Sequence, residues 1–305
     1  MNKLSRIGLC IVLTLVVLGA AMPTQAQDGK TLIMARAADT TGLDPHTQTA
    51  FASLRLLELI YEPLLTLDEN LNIVPALAEK WAFSEDALSL TVNLRGGVMF
   101  HDGSAFTSAD VKASFERILK EETGSAARAN YLSITSIETP DDLTVIFKLS
   151  SPDVPLLAAM TSVNASIMPS ELMESGDISK TAIGTGPFKL VEWIPEEKTT
   201  LVANPEWWGD GPFVDGVEMR VIPDEASILA ALRAGEIDFA LLNDPLVATL
   251  LKDDPDIILN RVPAIAYHVF QLNPSRTPMD KLEVRQAMSC AIDRQAVLDT
   301  ASLGE

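Results

Sequence analysis

Residues 217–242, VEMRVIPDEASILAALRAGEIDFALL, decide the fold class. VEMRVIP has strand character, Asp224 stands where a helix N-cap accepts the first free amides, and ASILAALRA carries apolar side chains at helical spacing. Gly235 supplies the residue that closes such a helix, and EIDFALL then reads as a second strand. A crossover helix of this kind joins parallel neighbours, which makes the passage an α/β unit.

Upstream the rhythm changes. LSLTVNL (88–94) and LTVIFKL (143–149) alternate with period two, as antiparallel strands with one face in a core do. Between them Thr107-Ser108-Ala109-Asp110 opens a helix: Thr107 caps it, Asp110 reaches back, and Val111, Phe115, Ile118 and Leu119 line one face until Gly124. An earlier helix carries Leu54, Leu57, Ile60 and Tyr61 and stops at Pro63, after which LLTLDENLNIVP reads as a hairpin around Asp68-Glu69-Asn70. Thr31 to Ala37 is a short strand leading into a loop rich in turn formers, residues 39–45. Gly184-Thr185-Gly186-Pro187 is a turn, followed by strands in FKLVEW and TTLVANPEWW. Downstream, AYHVFQLN (266–273) reads as a strand and Lys281 through Leu298 as helix.

The first 26 residues have the plan of a secretory signal peptide: Lys3 and Arg6, an apolar run from Ile7 to Ala21, and small residues at Thr24 and Ala26 that suit cleavage after Ala26. That run falls short of the roughly 20 residues a membrane helix needs, so the mature chain is expected in the periplasm without inserting into the membrane. Loss of Lys3 and Arg6 makes the mature chain two units more negative than the −19 of the whole. Such a field repels nucleic acid and suits a freely diffusing monomer. Cys10 lies in the leader and Cys290 in the apolar pattern of a helix, where it reads as a small core residue. A single mature cysteine leaves the fold to packing alone, with no internal disulfide.

Several chemistries find no support. His46, His101 and His268 lack the close spacing of a metal site, and neither a G-x-S-x-G elbow nor a phosphate-cradling G-x-x-x-x-G-K-[ST] loop occurs. No cofactor, resident metal or catalytic residue is therefore expected. The His101-Asp102 pair within VMFHDGSAFTSAD suggests an exported hydrolase as the competing class; the blander reading makes it the turn between a strand and the helix after Thr107. Trp207-Trp208 reads as loop packing, with a platform for a sugar or peptide side chain as its alternative.

GLDPH (42–46), IYEPLLTLDENLNIVPALAEKW (60–81), LTVNLRGGVMFHDGSAFTSADVKASFERI (90–118), GTGPFKLVEW (184–193), NPEWWG (204–209), RAGEIDFA (233–240) and EVRQAMSCAIDRQAV (283–297) occur in one order along the chain. In that order they resemble the family 5 extracellular solute-binding proteins of peptide, dipeptide and nickel ABC importers. The resemblance implies an α/β, periplasmic-binding-protein-like (type II) architecture of two lobes with an extra β-rich domain and an incomplete second lobe. It divides the chain into a leader (1–26), the opening of the first lobe (27–55), the small β-rich domain (56–180), the first lobe continued (181–263) and the start of a second (264–305). It further implies a non-enzymatic receptor that captures short peptides, or an opine, glutathione or chelated nickel, and delivers them to an inner-membrane permease driven by a separate ATPase. Solute contacts would come from Thr47, Gln48 and Thr49, from Tyr131, Asn164 and Asn243, and from Tyr267, whose chemistries suit the amides of a bound peptide. Family members run considerably longer, so a partly built lobe is expected to expose apolar surface.

Overall fold

A computed structural model of the chain describes residues 30–175, 178, 181–252, 254–261 and 269–301; the proposed leader and Tyr267 lie outside them. In chain order the elements begin with β1 (Thr31–Arg36), α1 (Phe51–Ile60), β2 (Leu65–Leu67), β3 (Ile73–Pro75), β4 (Ala78–Phe83) and β5 (Ser89–Leu94). Next come α2 (Ser108–Leu119), β6 (Ile134–Asp141), β7 (Thr144–Leu149), α3 (Leu156–Ala159) and α4 (Ser170–Ser175). The remainder is β8 (Phe188–Ile194), β9 (Lys198–Ala203), β10 (Gly216–Val221), α5 (Glu225–Ala234), β11 (Phe239–Ala240), α6 (Pro245–Leu251), α7 (Leu282–Ala291) and α8 (Arg294–Ala301).

The decisive passage folds as a crossover. In the five-stranded sheet, ordered β11-β1-β10-β9-β8, β1 runs parallel to both β10 and β11, so α5 carries the chain over β1 to its far side. Asp224 accepts from the Ser227 amide at 2.9 Å and Gly235 takes the left-handed conformation, φ 69°, that closes α5. Alternation along β1 serves both faces: Leu32 and Met34 pack with Leu56, Leu57 and Ile60 of α1, while Ile33 and Ala35 pack with Ile228 and Ala231 of α5.

The second strand of that passage is shorter than EIDFALL suggests. Asp238 exchanges bonds with Ile33, its amide donating to the carbonyl at 2.7 Å and its carboxylate accepting from the amide at 2.8 Å. Only Phe239 and Ala240 then pair with β1, because Glu225 takes the amides of Asn243 and Asp244, both at 2.9 Å, and turns the chain into α6.

The small sheet, ordered β4-β5-β7-β6, is antiparallel and covered on one face by α2. Leu90, Val92 and Leu94 of β5 and Val145, Phe147 and Leu149 of β7 meet Val111, Phe115 and Ile118 of α2. Phe115 stands edge-on to Tyr131 and Phe147, with ring centroids 5.2 and 5.0 Å away. Asp110 reaches back as expected, accepting from the Thr107 amide at 2.9 Å. A boundary at 55/56 falls inside α1, whose buried residues belong to the core of the large sheet; Val163, Met168, Ile178 and Ala182 return to that core as well. Helix α1 is therefore continuous across the division drawn from sequence.

The expected helix over 281–298 is two helices, parted at Ile292-Asp293, where the Asp293 carboxylate accepts from the Ala296 amide at 3.0 Å. Neither α7 nor α8 buries a residue, and Cys290 is exposed, contrary to its reading as a core residue. Val269–Asn273 of the expected strand are irregular, with Val269 and Phe270 exposed; the rest of that strand lies outside the described residues. No described helix is long and apolar enough to cross a membrane.

Candidate functional site

Ligands of open α/β sheets sit beyond the carboxyl ends of the strands, at the point where neighbouring connections diverge. Here that point is β1, flanked by β10 and β11, and the loop that leaves β1 is residues 37–50. Arg36, at the end of the strand, donates to Asp39 at 2.6 Å and to the Thr199 hydroxyl at 3.2 Å. Asp39 also receives the Trp193 indole at 3.1 Å and the Glu196 amide at 2.9 Å. Burial works against its charge, but these donors and Arg36 outweigh burial and hold Asp39 below the usual carboxylate range. The loop is thus fastened to the β8–β9 turn at its start.

Its centre is fastened by GLDPH. Asp44 takes a two-pronged ion pair from Arg117 of α2, at 3.0 and 2.5 Å. The same guanidinium lies 2.8 Å from His46 Nδ1. Arginine only donates, so Nδ1 is the acceptor and Nε2 carries the proton that it gives to the Ser166 carbonyl at 2.9 Å. His46 is fully buried, and burial, with Arg117 beside it, pushes the imidazole down to about 4. It is neutral at pH 7.

Asn164 completes the grip. Its amide nitrogen donates to the Pro45 carbonyl at 2.5 Å and to the Gln48 carbonyl at 2.9 Å, so Asn164 meets the 47–49 segment directly. Thr41 donates to the Gln48 side-chain oxygen at 2.7 Å, leaving the amide nitrogen of Gln48 for another acceptor. Thr49 is exposed, and Thr47 and Gln48 are half-buried. Asn243 stands just past β11, at the same end of the sheet as this loop, with its side chain 3.3 Å from Glu225. Tyr131 has no surface to offer: it is wholly buried against Phe115, and its hydroxyl donates to the Ala159 carbonyl at 2.6 Å. We therefore assign Tyr131 to packing, a correction that follows from its place under α2.

The competing dyad is part of the scaffold. His101 Nε2 donates to the Gly186 carbonyl at 2.9 Å and Nδ1 faces the Gly184 amide at 3.4 Å, so backbone engages both ring nitrogens. Burial drives this imidazole to about 4 as well. Asp102 accepts from the amide and hydroxyl of Ser104, at 2.9 and 2.7 Å, as a turn-forming aspartate does. The glycines of the GTGP turn have a packing role: a Cβ at Gly184 would collide with the Ile60 carbonyl oxygen, and one at Gly186 would stand 2.7 Å from it, so the glycines admit the end of α1. Among the described residues no group of three or more His, Cys, Asp or Glu is arranged to hold a metal.

Sequence reasoning missed Glu62. It is nearly buried and receives Thr185 at 2.7 Å, Trp207 at 3.1 Å and Trp208 at 2.9 Å, while the Arg95 guanidinium lies 4.0 Å over the Trp208 ring. Burial raises the Glu62 carboxyl, and the three donors and Arg95 oppose that rise. The tryptophan pair is thereby bound to scaffold. The signal was in IYEPLL, where one carboxylate interrupts an apolar run.

A model of the bacterial extracellular solute-binding proteins, family 5 (middle), matches residues 72–305. A Brucella ovis protein named as an ABC transporter peptide-binding protein is 36% identical over 248 residues, covering 79% of this chain and 47% of the relative. The glutathione-binding protein GsiB of Salmonella paratyphi A is 30% identical over 288 residues, covering 93% of this chain and 56% of the relative. The periplasmic binding protein DppA of Helicobacter pylori, solved with the peptide STSA, superposes with a TM-score of 0.81 at 28% identity, over 90% of this chain and 59% of that one. The chain spans about half the length of the curated relatives it matches.

Proposed function

The chain belongs to the family 5 bacterial extracellular solute-binding proteins, and from that premise we propose that it takes part in capturing a short peptide for an ABC importer. The observation that carries this reading is the gathering of Thr47, Gln48, Thr49 and Asn164 at the carboxyl end of β1, with Asn243 at the same end of the sheet. The hydroxyls and amides of this fixed loop, exposed at Thr49 and half-buried at Thr47 and Gln48, suit the alternating donors and acceptors of a peptide backbone. Tyr267 is kept as a proposed contact, outside the described residues. Solute touching a second wall favours a closed arrangement of lobes, and the permease reads that shape; no bond in the solute changes. The protein acts as a monomer in the periplasm, after cleavage behind Ala26, with no nucleic acid, cofactor or resident metal. The similarity to peptide- and glutathione-binding proteins supports a peptide-like solute, with opines and chelated nickel as the alternatives.

A thermal-shift screen of the chain with di- to pentapeptides, glutathione, opines and nickel–histidine tests the assignment. A solute at 100 times its dissociation constant adds about 2.7 kcal/mol of apparent stability. A rise with peptides supports the reading; a rise only with opines or nickel–histidine moves the solute class; flat curves throughout overturn it.

A further inference from the structure

The loop proposed to meet solute is held mainly by the small domain. Arg117 of α2 grips Asp44 and His46. The Ala126 amide donates to the His46 carbonyl at 3.1 Å, Asn164 takes the carbonyls of Pro45 and Gln48, and the Ser166 carbonyl accepts from His46. Arg117 and Ala126, with Asn164 and Ser166 from a segment that packs on both cores, thus hold Asp44, Pro45, His46 and Gln48. Pairing within the large sheet fixes β1 but, among the described residues, makes no hydrogen bond to residues 44–48.

We propose that the small domain is a positioning device for solute recognition, with Arg117 setting where Thr47–Thr49 stand without touching solute itself, and Asn164 fixing the same segment through its amide nitrogen. The inference rests on the proposed role of that loop, but not on which solute it meets. The added β-rich domain then contributes rigidity to recognition. Helix α2 is anchored in a closed aromatic core through Phe115, and Arg117, two residues further on, carries that rigidity to the loop.

The clamp is also sensitive to acid. His46 is faced by Asp44 on its own loop, Arg117 from α2, the Ser166 carbonyl, and Tyr61 after α1, whose phenol lies within electrostatic reach of Asp44 and Arg117. Protonated Nδ1 cannot accept from Arg117, and the new cation faces the guanidinium, so acid opens the His46 branch while leaving Asp44 paired.

The test compares wild type with Arg117→Lys, Asn164→Ala and His46→Gln, with Lys148→Ala as a control that removes a distant ion pair on the same domain. Amide hydrogen exchange of residues 45–49 and titration with the peptide selected by the screen are measured from pH 7 to pH 4. R117K and N164A are expected to speed exchange of the loop and weaken the peptide on the order of tenfold, a usual size for coupling between sites. Exchange of the β5 and β7 amides should not change in either variant, and K148A should match wild type. Wild type should lose affinity and loop protection together as pH falls toward 4, a loss that H46Q flattens. Loop exchange unchanged in R117K and N164A, with the domain folded, overturns the proposal. If wild type binds no tested solute, the functional reading fails alone, because loop exchange still decides the clamp. If N164A and R117K loosen the loop but leave affinity intact, the loop is positioned to no purpose and the proposal falls.

Discussion

The small β-rich domain and the last sixty residues both carry apolar side chains in periodic patterns, with opposite results. Between Ala78 and Leu149 the apolar positions of two strands and one helix close on one another, and Leu90, Phe115, Ile118, Val145 and Phe147 are fully buried. From Leu241 onward α6 seats Val247 and Leu251 against Leu229, yet Leu246, Leu250, Ile258, Phe270, Leu282 and Val297 stand exposed, and α7 and α8 bury nothing. Local pattern makes an element; only a second surface turns it into a core. The first region carries both surfaces within about seventy residues, whereas the second presents one face to solvent.

The largest effect that would sharpen this contrast is Phe115→Ala. It removes the ring at the centre of three aromatics and should cost about 3–5 kcal/mol in chemical denaturation, against under about 0.5 kcal/mol for Ile258→Ala at an 89% exposed position. Equal losses in the two variants would break the comparison.

Acid comes next. His46 titrates near 6.5 when unfolded and at about 4 when folded, so the unfolded chain binds more protons between those values. Stability therefore rises with pH through this window and is lost as pH falls from 6.5 to 4. The full shift corresponds to about 3 kcal/mol, and His101 acts in the same direction. Denaturation midpoints at pH 7, 5.5 and 4.5 should decline in wild type and flatten in His46→Gln. A decline of equal slope in H46Q places the acid sensitivity elsewhere.

Glu62→Gln should cost about 1–3 kcal/mol, since a single amide oxygen cannot serve the Thr185 hydroxyl and both indoles. Tryptophan fluorescence should shift with it, because Trp207 and Trp208 both donate to this carboxylate. Glu62 has the opposite pH sign to the histidines: its folded value is raised, so its contribution is complete below the unfolded value near 4.5 and lost as pH climbs through the folded one. The smallest effect concerns exchange alone: amides of α7 and α8 should be far less protected than those of β5 and β7, and equal protection would mean that the last helices are covered in solution.

What was legible in the sequence was local. The strands at 88–94 and 143–149, the helix opening at Thr107 and the capped crossover at Asp224 and Gly235 follow from periodicity and end chemistry within a dozen residues. What was hidden was pairing at distance. Glu62 meets Trp207 and Trp208 across about 145 positions, and Arg117 meets Asp44 and His46 across about 70, with no period to announce either bond. Strand 239–240 came out short because Glu225 catches the chain beyond it, and the helix near 290 divides because Asp293 caps a new one. Tyr131 was placed at the solute by family likeness, which carries no information about burial. Gln48 and Asn164 are in contact, although only three dimensions reveal that Asn164 holds the loop by its backbone.

One feature of the large sheet bears on time. Its first-made strand, β1, is paired with Gly216–Val221 and Phe239–Ala240, strands made some two hundred residues later. For a chain emerging from its N-terminus, Thr31–Arg36 therefore have no sheet partner until residues 216–221 have appeared. The small domain, whose most distant strand pairing joins β5 to β7 within one continuous stretch of chain, is free to close early. Arg117 stands on α2 of that early-closing body, so the order of synthesis prepares the mould before the part it shapes.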